Sequence, residues 1–158
     1  MPKLPDDLRL MIDKLCQKGD QLAQIDQADD ALDQFDAAWE LLPNPKNQWP
    51  AATWILMAAG DVYFEKREFA AAIEMLRDAL VLPDGEVNPF IWLRLGQSLF
   101  EIGDFDAAAD ALETAFRKNG EGLFADEDPK YLNFVKTQLG IMQVKSTTPS
   151  SRFNRPLQ

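Results

Sequence analysis

The stretch that decides the fold is IWLRLGQSLFEIGDFDAAADALETAF, from Ile91 to Phe116. Its apolar residues recur every three to four positions on both sides of a short break, which predicts two amphipathic helices joined by a turn. Gly96 interrupts the first helix, and alanines stand at Ala108 and Ala115, where larger apolar residues would bury more surface. These small residues predict that the two helices cross at close range.

The same arrangement occurs three times along the chain. In each copy an alanine follows a glycine after 12 residues, and a second alanine follows 7 residues later. The three sets are Gly19, Ala31 and Ala38; Gly60, Ala72 and Ala79; and Gly96, Ala108 and Ala115. Helix pairs repeated in this way bury their apolar faces against their neighbours. We expect glycine on the first helix to meet alanine on the second, so that close packing offsets a propensity cost of about 1 kcal/mol per glycine.

The pattern resembles the tetratricopeptide repeat (TPR) family over about residues 8–120. The residues on the family's signature positions are Trp92, Leu95, Gly96, Ala108, Leu112 and Ala115 in the third repeat, and Gly60, Tyr63, Ala72, Leu76 and Ala79 in the second. The resemblance implies an all-α fold, an α-solenoid of three helix-turn-helix repeats at about 8–43, 51–83 and 89–120. The glycine-to-glycine spacings are 41 and 36 residues, and the longer one contains the proline-rich connector Pro43–Ala51, a predicted loop.

Two further helix starts are marked by proline. Asn88-Pro89 and Asp128-Pro129 each combine an N-cap residue with proline at the first helical position. The second start predicts a C-terminal capping helix over about residues 129–144, which covers the end of the third repeat with Tyr131, Leu132, Val135 and Leu139. The TPR domain is therefore predicted over 1–144, and residues 145–158, poor in apolar residues, are predicted to form a flexible tail.

The chain is strongly acidic, with 16 basic residues, 26 acidic residues and a net charge of −10. Three of the basic residues, Lys145, Arg152 and Arg155, lie in the predicted tail, which contains no acid, so the body is more acidic than the net value. Nucleic-acid binding needs a basic face, so this composition argues against it. It favours a protein or peptide partner that is basic and partly apolar.

The resemblance also implies where a partner binds, because the first helices of TPR arrays line a concave groove. The corresponding residues here are Trp54, Met57, Asp61, Phe64 and Glu65 in the second repeat, Phe90, Leu93, Arg94, Gln97, Phe100 and Glu101 in the third, and Asp13, Cys16, Asp20, Ala23 and Gln24 in the first. Aromatic side chains in such pockets are typical anchors. The alternative for Trp54, Phe64, Phe90 and Phe100 is burial beneath the last helix or a self-association surface, and Glu65 and Glu101 could be solvated helix faces.

Other aromatic residues fit packing positions instead. We assign Phe35, Tyr63, Phe69, Trp92 and Phe105 to the core. The positions that hold a carboxylate in TPR co-chaperones read Cys16, Asp20, Ala58, Phe90 and Arg94 here, and only Arg94 suits a carboxylate clamp. We therefore expect no such clamp.

Catalytic chemistry has no support in the sequence. There is no histidine, no phosphate-binding glycine loop, no nucleophile elbow and a single cysteine, Cys16, which we interpret as a small buried residue. The cluster Ala125–Lys130 (ADEDPK) lacks the ligand spacing of a calcium loop and suits a helix start. We expect no enzymatic activity, no cofactor and no metal. The N-terminus lacks the apolar core of a signal peptide and no run spans a membrane, so we expect a cytoplasmic protein.

These observations predict a non-enzymatic protein that sequesters one specific partner. The stretches Asn88–Asp104 and Glu127–Gly140 resemble small bacterial TPR proteins encoded beside secreted toxins, which implies an immunity protein; size and repeat number are also similar to type III secretion chaperones. The alternative is a structural scaffold in a larger assembly, with self-association possible. For the sequestering role we expect replacement of both Trp54 and Phe100 by alanine to abolish partner capture without unfolding the domain.

Overall fold

The structure, a computed structural model, describes residues 2–141. Within this range it contains seven α-helices and no β-strand, which confirms the predicted all-α class and the α-solenoid of helical repeats. The helices are α1 (Asp6–Gln24), α2 (Ala28–Leu41), α3 (Pro50–Glu65), α4 (Phe69–Leu80), α5 (Pro89–Glu101), α6 (Phe105–Asn119) and α7 (Pro129–Gln138). The predicted flexible tail lies outside the described residues.

The first six helices pack as three consecutive pairs, α1 with α2, α3 with α4, and α5 with α6. The first helices α1, α3 and α5 line one side of the array, which we call the inner face. The second helices α2, α4 and α6 line the other side, which we call the outer face. Helix α7 packs against α6 and against the 3₁₀ turn that precedes it, Glu121–Phe124.

Each pair is joined by the same turn. Three residues past the end of the first helix, a backbone N–H reaches back to a carbonyl in the last turn, and the residue before that N–H has a positive φ. This is the Schellman arrangement. The hydrogen bonds run from Gln27 to Leu22 (2.9 Å), from Glu68 to Tyr63 (2.9 Å) and from Asp104 to Leu99 (3.0 Å). The positive φ angles belong to Asp26 (60°), Arg67 (63°) and Gly103 (83°). The turn geometry is therefore common to all repeats, although only the third has glycine there.

The atoms nearest to an added Cβ on each repeat glycine belong mainly to a large residue of the second helix and not to the repeat alanines. A Cβ atom on Gly96 would lie 2.5 Å from Cγ of Leu112, and one on Gly60 would lie 2.7 Å from Cγ of Leu76. In the first repeat a Cβ on Gly19 would lie 2.5 Å from the Phe35 ring. Each glycine thus makes room for one bulky residue of the second helix. The six repeat alanines are completely buried, as their small size requires in closely packed helices.

The predicted helix starts are confirmed. The Asn88 side chain accepts a hydrogen bond from the N–H of Phe90, and Asp128 accepts one from the N–H of Lys130, both at 2.9 Å. Helix α7 ends at Gln138, short of the predicted end near residue 144, because Gly140 takes a positive φ of 72° and closes the helix with another Schellman turn.

The connector between α2 and α3 is a loop, as predicted, with one 3₁₀ turn at Lys46–Gln48. Lys46 donates to the carbonyl of Leu42 at the end of α2 (2.7 Å), which satisfies a backbone group that the helix leaves open. The buried Trp49 indole donates to the carbonyl of Pro43 (2.8 Å). These contacts tie the loop to the first repeat.

Most of the aromatic residues assigned to the core are at least partly buried. Phe35 is fully enclosed, whereas Tyr63, Phe69 and Trp92 are half-buried at the edges of the packed repeats. Phe105 is 51% exposed, so its assignment to the core is wrong. It is the first residue of α6, and its ring packs against Phe100 and Phe134.

Candidate protein-binding site

The inner face is open between α1 and α3. One cleft, of about 360 Å³, is bordered by Asp13, Cys16 and Trp54, and a second, of about 560 Å³, by Asp61 and Glu65. Asp20 lines both clefts and so joins them into one surface. We call this surface the acidic groove and define it by Asp13, Asp20, Trp54, Asp61 and Glu65.

Trp54 is the exposed aromatic residue of the acidic groove. Its side chain is 38% exposed, and its ring meets the buried Phe35 ring edge-on, with 6.3 Å between the ring centroids. Because Phe35 is held by the core, this contact limits the motion of the indole. A rigid and partly exposed aromatic ring is a suitable anchor for an apolar group of a partner.

Asp20 and Asp61 give the groove its electrostatic character. Partial burial raises the pKa of Asp20, and the negative charge of Asp61 raises it further. Among the described residues lining the second cleft the only base is Lys66, whose ammonium group contacts Asp29 at 2.6 Å and Glu68 at 3.2 Å. Asp61 is also paired with Arg94 on α5, whereas Asp20 forms no salt bridge among the described residues. A cation bound beside Asp20 would relieve the remaining repulsion.

Arg94, on α5, is differently placed. Its side chain is only 10% exposed, and its Nε donates to Asp61 at 2.6 Å. One terminal nitrogen donates to Gln97 at 2.7 Å and also to Glu127, while the other contacts Glu65 at 3.5 Å. Burial by itself would lower the pKa of Arg94, but Asp61 and Glu127 outweigh it and raise that pKa. The guanidinium is therefore a fixed structural charge.

Aromatic rings complete the surroundings of Arg94. The guanidinium carbon lies 4.7 Å from the ring centroid of Phe64 and 5.0 Å from that of Phe90. This cation–π arrangement uses faces of both rings that were expected to meet a partner. Both rings are half-buried as a result.

Helix α7 is fastened over the third repeat by Glu101. The Tyr131 hydroxyl donates to the Glu101 carboxylate at 2.8 Å, and the Lys130 ammonium donates at 2.7 Å. Burial would raise the pKa of Glu101, but these two hydrogen bonds hold that pKa below its usual value. Burial and the Glu101 charge raise the pKa of Tyr131. The Phe100 ring packs edge-on against Tyr131 and Phe134, with centroid distances of 5.4 and 5.2 Å.

The structure therefore changes the predicted set of groove residues. Leu93 and Gln97 are completely buried, so the expectation that they face a partner is wrong; α7 and the turn before it cover them. Arg94, Phe100 and Glu101 are engaged by the same cover. Met57 is half-buried, and its sulfur lies 3.3 Å from the Asn88 amide nitrogen. The predicted residues that remain on open surface are Asp13, Asp20, Ala23, Gln24, Trp54, Asp61 and Glu65.

Sequence reasoning missed the role of Glu127. The cluster that contains it was interpreted as a favourable helix start, which Asp128 is, but Glu127 also binds Arg94 and Gln97. The available signal was Arg94 itself, a charge within the apolar α5 that requires acidic partners when buried. Cys16 is buried, and burial followed by the charges of Asp20 and Asp13 raises the pKa of its thiol to about 12. It therefore behaves as a small apolar residue.

Two other features are absent from residues 2–141. No three histidine, cysteine, aspartate or glutamate side chains come together in a way that could hold a metal ion. No helix in this range combines the length and the apolar character needed to cross a membrane.

Part of the chain is similar to a known repeat family. Residues 57–122 and 93–130 match the tetratricopeptide repeat family in two overlapping stretches. No curated protein sequence matches the chain. The two stretches are similar to tetratricopeptide repeats and together span residues 57–130, which supports the resemblance inferred from the sequence. Tetratricopeptide repeat domains typically bind proteins or peptides.

Two solved structures are similar in fold. The TPR domain of Sgt2 from Aspergillus fumigatus aligns with a TM-score of 0.62 at 20% identity, covering 93% of this chain and 85% of that one. MamA aligns with a TM-score of 0.59 at 18% identity, covering 82% of this chain and 77% of that one. At these identities the similarity establishes the helical-repeat fold.

Proposed function

We propose that this chain is a non-enzymatic protein-binding module whose acidic groove binds a basic, partly apolar segment of a partner. The observation that carries the proposal is the position of Trp54 on the same surface as Asp20, a carboxylate that is unpaired among the described residues and whose pKa is raised by burial and by the charge of Asp61. An apolar side chain of the partner packs on the indole, and a lysine or arginine lies beside the Asp20 carboxylate. Binding then combines an aromatic anchor with charge complementarity.

The acidic surface also predicts how the partner arrives. The field of a body with this net charge raises the association rate of a basic segment and leaves short-range packing to set its lifetime. Because much of the attraction is between exposed charges, binding weakens as the ionic strength rises. The same groove repels the C-terminal carboxylate of a peptide.

We further propose that the module sequesters one partner in the cytoplasm, as an immunity protein against a toxin or as a secretion chaperone. The resemblance of Asn88–Asp104 and Glu127–Gly140 to small bacterial TPR proteins encoded beside toxins supports the immunity role. The open part of the inner face lies at the first two repeats, so it forms one compact site. Such a site suits one partner bound at equal stoichiometry.

A scaffold role is the second candidate. Leu10 and Met11, which are neighbours on α1, are each more than half exposed. An apolar pair of this kind provides contact area outside the acidic groove and would support self-association or a second partner. Several proteins bound at once, or an oligomer that depends on concentration, would favour this role.

The test combines capture with a groove variant. The tagged full chain is used to capture partners from its native cell extract, and the dominant partner is then purified and titrated by calorimetry. We expect Trp54→Ala to weaken its binding at least about tenfold, because loss of a central aromatic anchor has an effect of that size. Asp33→Asn, an exposed position on the outer-face helix α2, serves as the matched control for the acidic-groove variant Asp20→Asn.

Full affinity in both groove variants would place the partner on another surface. Phe100 is no longer a suitable target, since its ring packs on Tyr131 and Phe134 and its replacement would also loosen α7.

A further inference from the structure

A third cleft lies on the outer face, between α2 and α4. Its volume is about 440 Å³, and its walls include Leu32 and Trp39 of α2, Leu56 of α3, and Met75 of α4. Val81, at the end of α4, stands at its margin and is 83% exposed. The α3 residues that line this cleft are on a different side of the helix from Trp54 and Asp61, so it is separate from the acidic groove.

The chemistry of the cleft is apolar with acids at two sides. Asp36 extends from α2 and Asp78 from α4, and no lysine or arginine is among the described residues that line the cleft. Within residues 2–141 neither carboxylate forms a salt bridge. A cleft of this size is in the range that binds a ligand or a few side chains. Its complement is a short segment with apolar side chains and adjacent positive charges.

Such a segment is present in this chain. The sequence Arg152–Leu157, RFNRPL, places Phe153 and Leu157 beside Arg152 and Arg155, and no acid occurs after Asp128. Its two apolar groups match the apolar walls, and its two guanidinium groups match the two carboxylates. Arginine pairs well with carboxylates because its planar group offers several donors.

The length of chain after the described residues is sufficient. Residues 142–151, which lead to this segment, span up to about 35 Å when extended. Packed helices are about 10 Å apart, so the path from α7 past α6 and α4 to the cleft is about 30 Å. The segment can therefore reach the cleft of its own molecule.

We propose that residues 152–157 bind in this outer-face cleft of the same molecule, with Phe153 and Leu157 against Trp39 and Met75, and the arginines toward Asp36 and Asp78. This contact covers apolar surface that would otherwise attract other proteins. It leaves the acidic groove open and does not depend on the function proposed for that groove.

The test uses a spin label on the full chain. Cys16 is buried and its thiol has a pKa of about 12, so a nitroxide reagent selects the new thiol of a Gln158→Cys variant. The indole N–H signals are then followed by NMR. Trp39 reports on the outer-face cleft, and Trp54 reports on the acidic groove. We expect the label to broaden Trp39 strongly and Trp54 weakly.

Two variants test the contact from each side. Phe153→Ala should reduce the equilibrium constant for binding of the segment about tenfold, because the phenyl ring supplies most of the apolar area that binding buries. Val81→Lys adds a positive charge at the margin of the cleft and should release the arginines, whereas Ile102→Lys, also at an exposed apolar position, should leave Trp39 broadened. Both targets are well exposed, so neither change threatens the fold.

Several outcomes would overturn the proposal. Broadening centred on Trp54 would place the segment in the acidic groove, and weak broadening at all indoles would leave the cleft unoccupied. A mixture of spin-labelled chain with unlabelled, isotope-enriched chain provides the remaining check. Broadening of Trp39 in that mixture would assign the contact to a second copy instead of the same molecule.

Discussion

At Gly96 the absence of a side chain determines how closely α5 and α6 approach. Leu112 fills the space that a Cβ would need, and the same relation holds between Gly60 and Leu76. Repeat packing thus places a glycine, which has no side chain beyond a hydrogen atom, against a bulky side chain of the next helix. Complete burial of the bulky residue offsets the loss of helix propensity at the glycine.

A first prediction concerns this contact. We expect Gly96→Ala to lower the free energy of unfolding by up to about 2 kcal/mol, because overpacking costs about 1–3 kcal/mol while alanine regains about 1 kcal/mol of helix propensity. Urea unfolding followed by circular dichroism measures the change. Gly122→Ala is the control, since nothing lies within 4 Å of an added Cβ there. Equal effects of the two changes would contradict the proposed packing role.

A second prediction concerns Asp20. Its pKa is higher in the folded protein than in the unfolded chain, so its ionised form disfavours folding, and this cost disappears as the pH falls through the raised pKa. We expect Asp20→Asn to raise the melting temperature at pH 7 by a small amount. It should also reduce the gain in stability that the wild type shows as the pH falls from the raised pKa to the ordinary pKa of 3.8. The same change should weaken binding of a basic partner.

Thermal unfolding of Asp20→Asn and of Asp33→Asn across this pH range provides the comparison. A lower melting temperature for Asp20→Asn at pH 7 would show that the carboxylate stabilises the fold. The acidic groove would then not be an electrostatically strained surface.

Each helix-turn-helix element contains the same tight turn. Its Schellman turn requires a left-handed residue, and the three repeats meet this requirement with Asp26, Arg67 and Gly103. Glycine has no steric penalty in that region, whereas a side chain costs about 1–2 kcal/mol. The turn is therefore dictated by the close packing of the two helices, and the residue present adapts to it.

A third prediction compares two of these turns. We expect Gly103→Ala to lower the free energy of unfolding by about 1 kcal/mol, because its φ of 83° strains any side chain. Arg67→Gly should raise it by a smaller amount, since the substitution also removes the stacking of the guanidinium on Phe69, 5.2 Å from the ring centroid. Chemical denaturation of both variants gives the two signs, and a loss of stability in Arg67→Gly would contradict the turn argument.

At the scale of the whole molecule, Arg94 connects parts of the chain that are distant in sequence. It joins Asp61 on α3, Gln97 on α5 and Glu127 before α7. The junction of the second repeat, the third repeat and the capping helix is therefore held by one ionic cluster. This cluster also closes the third repeat to a partner.

A fourth prediction tests that junction. We expect Arg94→Met to lower the free energy of unfolding by about 3 kcal/mol, because it leaves the partly buried Glu127 and Asp61 carboxylates without their counter-charge. Arg117→Met removes an exposed arginine that is 3.6 Å from Glu113 and should change stability by less than about 1 kcal/mol. Hydrogen exchange should show faster opening of α7 in Arg94→Met. Unchanged α7 protection would mean that apolar packing alone holds the helix.

The candidate site was only partly predictable. The aromatic and acidic residues of α3 could be placed on the inner face from helical periodicity and the resemblance, and Trp54, Asp61 and Glu65 are on open surface there. Periodicity also placed Leu93 and Gln97 on that face, but it carries no information about what covers a face. The outer-face cleft was not predicted at all, because it depends on the distance between α2 and α4 and not on the pattern of either helix.

The sequence by itself determined the helices, their pairing into repeats and the caps at Asn88 and Asp128. These features depend on interactions between residues close in the chain, and their pattern recurs three times. Only the tertiary structure decided which part of the inner face stays open. The burial of Leu93 by α7 and the binding of Arg94 by Glu127 join residues more than 30 positions apart. Such contacts depend on how whole elements pack, and no local pattern specifies them.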